Sequence, residues 1–244
     1  MGLADLHIHT LYSFDGTCTI GAVLKQAVGR GLNLIAITDH DEIRGSLEAM
    51  QQAGAYGIGV IPGSEITTAE GHLLALYIQE NIPKGLSLEQ TLRRVADQGG
   101  VCIAAHPGGM RFNSLKPETI RAALEKPELA KVLLGVEVFN AGLIQLSGNE
   151  IGQKLADELP LARIGSSDAH LLGIIGKGTT FFRGSTTHQF RRSLENRLTW
   201  PVLSKPDSRL FLVLSWISRF ALRKAGWVST NSGPQSPLRL SRQV

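Results

Sequence analysis

The chain has 244 residues, of which 43% are hydrophobic and 19% are charged. This composition is typical of a globular protein with a buried core and excludes an intrinsically disordered one. The net charge of +4 arises in residues 204–244, which carry seven basic residues and one acid, whereas residues 1–203 have a slight excess of acids. The overall charge therefore says nothing about the ligand of the main domain.

Apolar, strand-like runs alternate with amphipathic helical patterns along residues 1–203. The strand-like runs are Leu3–His9, Leu34–Thr38, Val60–Thr67, His72–Ile78, Val101–Ala105, Leu134–Phe139, Ala162–Ser166 and Gly178–Phe182. The helical patterns cover Thr19–Arg30, Gly45–Ala55, Ser87–Gln98, Pro117–Glu125, Asn149–Glu158 and Thr187–Arg197. Repeated strand–helix units predict a parallel sheet, either a closed barrel or an open doubly wound layer.

Six of the seven histidines fall in short motifs that resemble metal-ligand clusters. The motifs are DLHIHT, TDHD, GHLLAL, AAHPGG and GSSDAH, and only His188 lies outside them. Two acids, Asp15 and Glu65, occupy similar positions. Imidazole and carboxylate groups bind Zn²⁺, Mn²⁺ and Fe²⁺, so the dispersed set favours a metal site over a packing role.

The position of these motifs favours the barrel. Candidate site residues follow or end strand-like runs at His9, His40, Glu65, His106, Asn140 and Asp168. A closed parallel barrel brings the carboxyl ends of its strands to one mouth, whereas an open sheet would spread them along a line. No GxGxxG or P-loop pattern indicates a nucleotide-binding open sheet. We therefore predict a barrel, with fewer or less regular units than eight.

Two of the motifs place ligands two residues apart. His7 and His9 lie in a strand-like run, where side chains at i and i+2 point to the same face. Asp168 and His170 share this spacing just after another run. Each pair alone is weak evidence, because a strand can carry two hydrogen-bonded histidines for structural reasons. Together with the other motifs, the pairs predict one shared metal cluster.

The ordered set DLHIHT, Asp15, TDHD, Glu65 in PGSE, AAHP and SSDAH resembles the polymerase and histidinol phosphatase (PHP) family. The resemblance covers residues 4–183 and continues more weakly to 203. It implies an α/β fold, a distorted (β/α)7 TIM-like barrel. It also implies two or three divalent metal ions, with Mn, Zn, Fe and Mg as candidates, and hydrolysis of phosphoesters.

The resemblance assigns nine ligands by position. A first metal would take His7, His9, Glu65 and Asp168. A second would take Glu65, His72 and His106, with the Glu65 carboxylate bridging the two ions. A third would take Asp15, His40 and His170, with Asp15 standing where some relatives have a histidine. A core strand histidine is the structural alternative for His72.

The resemblance predicts a metal-dependent phosphoric ester hydrolase. Its substrate would be a small phosphomonoester or a nucleotide or oligonucleotide phosphate, attacked by a hydroxide that bridges two ions. Glu65 and Asp168 would hold the reacting centre, His170 is a candidate proton donor, and Arg111 is a candidate phosphate contact. Stable binding of duplex nucleic acid is not expected.

Two other functions stay open at this point. A metal-dependent amidohydrolase also begins with HxH and uses a late-strand Asp, but TDHD and the motif at Glu65 argue against it. The other is a non-catalytic, metal-bound regulatory module. Asp39 is interpreted either as an acceptor for a ligand histidine or as a helix cap, and Asn140 as a partner of a metal-bound water or a turn residue. Cys102 lies in an apolar run and is interpreted as a core residue.

The predicted domains are a barrel at 1–203, an amphipathic basic helix at 204–229 and a disordered tail at 230–244. In the helix a stripe is formed by Leu210, Val213, Leu214, Ile217, Phe220 and Ala221. This stripe suits docking onto the barrel, a partner protein or an anionic membrane surface through 209–228. Arginines and a lysine interrupt the apolar run, so no spanning helix is expected. The first motif begins at residue 5 and the two cysteines form no spacing pattern, so we expect a cytoplasmic protein without a signal peptide, with peripheral membrane attachment as an alternative.

Overall fold

The computed structural model describes residues 1–108, 114–142, 146–204 and 209–227. The described strands are β1 (Gly2–Asp5), β2 (Leu34–Ile37), β3 (Gly59–Thr67), β4 (His72–Leu76), β5 (Val101–Ala104), β6 (Leu133–Asn140), β7 (Ala162–Ser166), β8 (Gly178–Phe182) and β9 (Thr199–Leu203). The described α-helices are α1 (Ile20–Gly29), α2 (Arg44–Tyr56), α3 (Leu88–Asp97), α4 (Pro117–Leu124), α5 (Pro127–Ala130), α6 (Leu146–Glu158), α7 (Thr187–Glu195) and α8 (Arg209–Lys224). A 3₁₀ turn covers Leu172–Ile174.

All nine strands form one sheet in the order β7-β6-β5-β4-β3-β2-β1-β8-β9. The sheet is nearly closed, because the segment after β1 meets the segment after β7 in a parallel bridge between Ile8 and Ala169. The amide of His9 donates to the Ala169 carbonyl at 2.9 Å, and the amide of Ala169 donates to the His7 carbonyl at 3.1 Å. The predicted α/β fold with a TIM-like barrel is confirmed.

The sheet is less parallel than the sequence predicted. Strand β4 runs antiparallel to both β3 and β5, and β8 and β9 are antiparallel to their neighbours. The link between Thr67 and His72 is a short hairpin that leaves no room for a crossover helix, so β4 must reverse direction. Consequently the first residue of β4 lies at the same rim as the last residues of the parallel strands.

The core occupies both faces of the sheet. Along β2, Leu34 and Ala36 belong to an apolar cluster inside the barrel, and Phe190 of α7 belongs to the same cluster. Ile35 and Ile37 pack in a separate cluster with residues of α1 and α2. This continuous burial explains why the strands are apolar runs rather than alternating patterns. Cys102 of β5 is fully buried, which confirms its interpretation as a core residue.

The helix starts follow the capping signals in the sequence. The Thr19 side chain accepts a hydrogen bond from the Ala22 amide at the start of α1. Ser87 and Gln90 form the predicted capping box at the start of α3. These caps satisfy amides that a helix start otherwise leaves unpaired, which fixes where each helix begins. His188 is exposed on α7, as expected for a residue outside the metal-ligand motifs.

Helix α8 lies within the predicted helical segment and packs on the barrel, but with a different face from the predicted stripe. Leu212 is buried and Trp216 packs against the same apolar cluster as α1. Four members of the stripe are exposed by 41–68%, namely Leu210, Val213, Leu214 and Ile217. Apolar residues occur on most faces of this helix, so the periodicity of its sequence did not identify the face that packs on the barrel. Polar contacts of Trp216 and Arg223 select it, as described below.

None of the described helices combines the length and the apolar character that crossing a bilayer requires. Contact of residues 209–228 with a membrane surface or a partner protein, which does not require a spanning helix, stays a prediction. The predicted disordered tail at 230–244 lies outside the described residues.

Candidate metal centre at the barrel mouth

The nine predicted ligands converge at one rim of the barrel. His7 and His9 follow β1, His40 follows β2, and Glu65 lies near the end of β3. Asp15 lies in the loop after β1, His72 begins β4, His106 follows β5, and Asp168 and His170 follow β7. The bridge between Ile8 and Ala169 joins the segment after β1 to the segment after β7. A bridge between His40 and Glu65 fixes the neighbouring strand ends in the same way.

The first group consists of two histidines and two carboxylates. The Nε2 atom of His7 lies 3.2 Å from Glu65 Oε2 and 3.5 Å from Asp168 Oδ1. The Nε2 atom of His9 lies 3.3 Å from each of the same two oxygens. Two nitrogens and two oxygens therefore surround one point in the buried part of the site.

The second group uses the other oxygen of Glu65. Glu65 Oε1 lies 3.0 Å from His72 Nδ1 and 3.1 Å from His106 Nε2. Glu65 is 1% exposed. Its Oε1 atom faces His72 and His106, whereas its Oε2 atom faces His7 and His9. This arrangement places the carboxylate between two groups of nitrogen atoms.

The third group lies nearer the solvent. Asp15 Oδ2 lies 3.0 Å from His170 Nε2 and 3.5 Å from His40 Nε2. The other ring nitrogen of His40, Nδ1, lies 3.1 Å from Glu65 Oε2, so His40 links this group to the buried ones. Ligand atoms of His9, Asp15, His40 and His170 all lie within 4.8 Å of one another.

The geometry of these groups fits divalent ions. Two ligands bonded to one ion at about 2.1 Å stand about 3.0 Å apart at a right angle and about 3.4 Å apart at a tetrahedral angle. The measured contacts of 3.0–3.5 Å lie close to this range. The buried atoms His7 Nε2, His9 Nε2, Asp15 Oδ1 and His40 Nδ1 have no hydrogen-bond partner among the described residues. Unpaired buried polar atoms are costly, and bound cations would satisfy them.

Strong local charges accompany this packing. Burial opposes ionisation of Glu65 and Asp168, but the surrounding histidines hold the pKa of both carboxyl groups well below their usual values. Burial also opposes protonation of His40, yet the charge of Glu65 and the hydrogen bond to Asp15 raise its pKa to about 9. Burial and the neighbouring His170 lower the pKa of His9 to about 3. The carboxylates are thus anionic at neutral pH, as metal ligands must be.

Glu137 is a site residue that the sequence analysis missed. Its carboxylate accepts hydrogen bonds from His7 Nδ1 at 2.9 Å, the His106 amide at 2.8 Å and Asn140 Nδ2 at 2.9 Å. Ser166 also donates to it. A signal was present in the sequence, because a lone acid inside the apolar run of β6 requires buried polar partners.

The hydroxyl groups of Ser13 and Ser114 orient the rings of His9 and His106. Ser13 Oγ lies 3.0 Å from His9 Nδ1 and accepts from the His40 amide at 2.9 Å. Ser114 Oγ lies 3.1 Å from His106 Nδ1. With Nδ1 occupied in this way, Nε2 of each ring is directed into the site, which is the usual arrangement around metal-binding histidines.

The two interpretations offered for Asp39 are both wrong. Its carboxylate accepts from the Thr10 amide at 2.6 Å, the Thr10 hydroxyl at 2.7 Å and the Ser13 amide at 3.1 Å, so it fixes the loop after β1. The loop after β1 has amides without strand partners, and Asp39 satisfies them.

Asn140 has the predicted turn role, because its side chain accepts a hydrogen bond from the Gly142 amide at 2.8 Å. It also donates to Asp168 Oδ2 at 3.2 Å.

Two of the predicted ligands have left-handed backbone conformations. The φ angle is 29° for His106 and 50° for Asp168. Non-glycine residues avoid this region, and such strain clusters at functional sites. Arg111, the predicted phosphate contact, lies outside the described residues, so its role stays a prediction.

Comparison with known proteins identifies the family. The PHP domain model matches residues 5–154, more than half of the chain, and a PHP-associated model matches residues 147–199. The chain belongs to the PHP domain family. Membership confirms the resemblance and, at the level of the family, the predicted class of metal-dependent phosphoester hydrolases. It also implies divalent metal cofactors, for which the clusters described above offer ligands.

Several known proteins are similar to this chain. An uncharacterised protein of Methanocaldococcus jannaschii is 39% identical over 148 residues, covering 57% of this chain and 81% of the relative. A 5′-3′ exoribonuclease of Haemophilus influenzae is 35% identical over 103 residues, which cover 41% of this chain and 37% of that enzyme. A two-domain protein of Bacteroides vulgatus containing a predicted PHP-like metal-dependent phosphoesterase superposes with a TM-score of 0.67 at 23% identity, covering 89% of this chain and 69% of that one. That last similarity concerns the fold.

Proposed function

We propose that this protein hydrolyses a phosphomonoester or a nucleotide or oligonucleotide phosphate with two or three divalent ions held by the nine residues at the barrel mouth. The observation that carries the proposal is the position of Glu65. Its two oxygens face separate histidine groups, one with His72 and His106 and the other with His7 and His9. A carboxylate in this position would hold two divalent ions at once.

The residues of the chain prepare the site for phosphate chemistry. When bound, divalent ions neutralise phosphate charge and activate the attacking water. Glu65 and Asp168 supply buried anionic oxygens for this purpose, because the low pKa of each keeps it ionised. Glu137 orients His7, and Ser13 orients His9. A prearranged set of ligands needs little rearrangement during the reaction, which is how most of the rate enhancement of phosphoryl transfer arises.

His170 can serve in one of two ways. Its Nε2 atom faces Asp15 Oδ2, and its side chain is 19% exposed at the mouth, where a leaving group would depart. The hydrogen bond to Asp15 and the charge of Asp168 outweigh burial and raise its pKa, which favours a protonated ring. Nε2 cannot bind an ion and donate a proton at once. We assign it to the third metal group, with proton donation as the alternative.

The two roles of His170 predict different results for His170→Ala. Loss of a ligand reduces the metal content and slows hydrolysis of all esters to a similar extent. Loss of a proton donor leaves the metal content unchanged and slows esters of poor leaving groups far more than aryl esters. Metal analysis and a series of leaving groups therefore separate the roles.

A nucleotide or oligonucleotide substrate has specific support. Phe14 is 71% exposed beside the third group, and its ring stacks on His40 with centroids 5.1 Å apart. Exposed aromatic rings at an active-site rim are suited to stacking on bases. The similarity to an exoribonuclease points to the same class of substrate. Arg111 is proposed as the phosphate contact.

The test uses protein freed of metal by chelation and then supplied with Mn²⁺. We expect metal-dependent hydrolysis of at least one substrate among an aryl phosphate monoester, its diester and a 5′-phosphorylated oligonucleotide. Glu65→Gln should abolish this turnover, because an amide is a poor shared ligand. His188→Ala, which changes an exposed histidine on α7, should retain it. Equal turnover by Glu65→Gln and the parent protein would refute the proposal.

A further inference from the structure

Helix α8 binds the loop that carries Asp15. The guanidinium of Arg223 donates to the Ser13 carbonyl at 2.7 Å and to the Leu11 carbonyl at 3.0 Å, and it also donates to the Gly16 carbonyl. The indole N–H of Trp216 donates to the Asp15 carbonyl at 3.1 Å. One helix thus supplies the partners of four carbonyls within six residues of the loop after β1.

The same loop reaches into the candidate metal centre with its side chains. Asp15 Oδ2 contacts His170 and His40, and Ser13 Oγ holds His9 and the backbone of His40. The loop is also tight, since a Cβ at Gly16 would lie 1.9 Å from the Thr10 carbonyl oxygen. Small shifts of its backbone therefore move the Asp15 carboxylate relative to the two histidines.

Two supports hold this loop from opposite sides. On the barrel side the Asp39 carboxylate binds the amides of Thr10 and Ser13. On the outer side four carbonyls accept hydrogen bonds from α8, and a cationic guanidinium with several N–H groups is suited to bind three of them at once. Asp39 acts on residues 10 and 13, whereas Trp216 and Arg223 act on both sides of Asp15.

Helix α8 lies outside the part of the chain that the two family models match. The family models match residues 5–199, and α8 begins at Arg209. Leu212 is buried and Trp216 packs on the cluster that contains α1, so the helix is anchored by apolar contacts as well as polar ones. Stacking of Trp216 on Phe220, with centroids 4.9 Å apart, orders the indole that contacts Asp15.

We propose that α8 positions Asp15 for the third metal group, with Arg223 as the principal positioning residue. The inference rests on the proposed function, because it assumes that the Asp15, His40 and His170 group binds an ion. With α8 in place the loop is held and Asp15 meets both histidines. Without the Arg223 contacts the loop gains freedom and the third ion binds more weakly. The two buried groups are less affected, because four of their five ligands other than His9 come from other strands and the fifth, His7, is held by Glu137.

The experiment measures Mn²⁺ binding to the full chain at graded free metal concentrations, by metal analysis after equilibrium dialysis. Arg223→Ala should raise the Kd of the most weakly bound ion about 10- to 100-fold, which is the usual effect of losing a group that orients a ligand. The affinity for the tighter ions should change much less, because only His9 among their ligands is held by this loop. Arg219→Ala removes an exposed positive charge from the same helix and should match the parent protein. Added guanidinium ion should partly restore binding to Arg223→Ala, which a general loss of folding would not permit.

The outcomes separate this inference from the proposed function. If the parent protein binds no third ion, the assignment of the third group fails. If the parent binds three ions and Arg223→Ala binds all three with parental affinity, the positioning role of α8 is wrong. Circular dichroism of each variant identifies unfolding. If Arg223→Ala unfolds, Arg223→Lys, which keeps the charge but loses the three-carbonyl geometry, must show the selective weakening or the inference is likewise overturned.

Discussion

His7 Nδ1 lies 2.9 Å from Glu137 Oε1, while Nε2 of the same ring lies 3.2 Å from Glu65 and 3.5 Å from Asp168. The ionised Glu137 can only accept a hydrogen, so Nδ1 must carry one. In the neutral ring Nε2 then has a free lone pair directed into the site. The contact with Glu137 thereby fixes both the tautomer and the orientation of His7, and the same carboxylate holds the backbone of His106.

Glu137→Gln is therefore expected to weaken metal binding about 10- to 100-fold without removing a ligand. The amide loses the charge that stabilises His7, and its NH₂ group accepts no hydrogen bond, so only one of the contacts with His7 Nδ1 and the His106 amide can persist. Competition with a chelating dye measures the change in affinity. Glu158→Gln, which changes a surface glutamate of α6, is the matched control. Parental affinity in Glu137→Gln would show that His7 needs no such partner.

The ligand positions were predictable from sequence, whereas their supports were not. Each histidine of the site lies at or near the end of an apolar run, a local pattern that a sequence displays directly. Glu137 of β6 contacts the segments that follow β1 and β5, which lie 130 and 31 residues earlier in the chain, and no local pattern encodes such pairs. For α8, periodicity identified the helix, but the docked face depended on the carbonyls of a loop about 200 residues earlier in the chain.

Binding of metal ions should stabilise the fold. Without ions, the Nε2 atoms of His7 and His9 lack hydrogen-bond partners among the described residues, and the carboxylates of Glu65 and Asp168 both lie 3.3 Å from His9 Nε2. A ligand at 100 times its Kd adds about 2.7 kcal/mol to the free energy of unfolding, which corresponds to a rise of about 5–10 °C in Tm for a chain of this size. Thermal unfolding with chelator and with Mn²⁺ measures the shift. His72→Ala should show a smaller one, and an equal Tm under both conditions would contradict binding to the native state.

Phe14 should contribute to binding of base-containing substrates. Stacking on an aromatic side chain is worth about 1–3 kcal/mol per base, so Phe14→Ala should raise KM for a nucleotide or oligonucleotide about 5- to 150-fold. Phe14→Trp should retain most of the binding. Hydrolysis of a small phosphate ester without a base is the control, because it reports any disturbance of the neighbouring His40. An equal loss for both kinds of substrate would assign Phe14 to the support of His40 instead.

Metal binding should release protons. The pKa of His40 is raised to about 9, because the charge of Glu65 and the contact with Asp15 outweigh burial, so the metal-free site holds this proton at pH 7. An ion must displace the proton, and the apparent metal affinity should increase as the pH rises towards 9.

The stability of the metal-free fold depends on pH in the opposite direction. The protonated His40 stabilises it below about pH 6.5, the unfolded value, and this contribution is lost as the pH rises to the folded value. His9, whose pKa is lowered to about 3, is already neutral and should release nothing. Titration calorimetry in two buffers of different ionisation enthalpy counts the protons released at pH 7. His40→Gln should release fewer than the parent protein, and His188→Ala, which changes the exposed histidine, the same number. An equal count for His40→Gln and the parent would show that His40 is neutral before the ion binds.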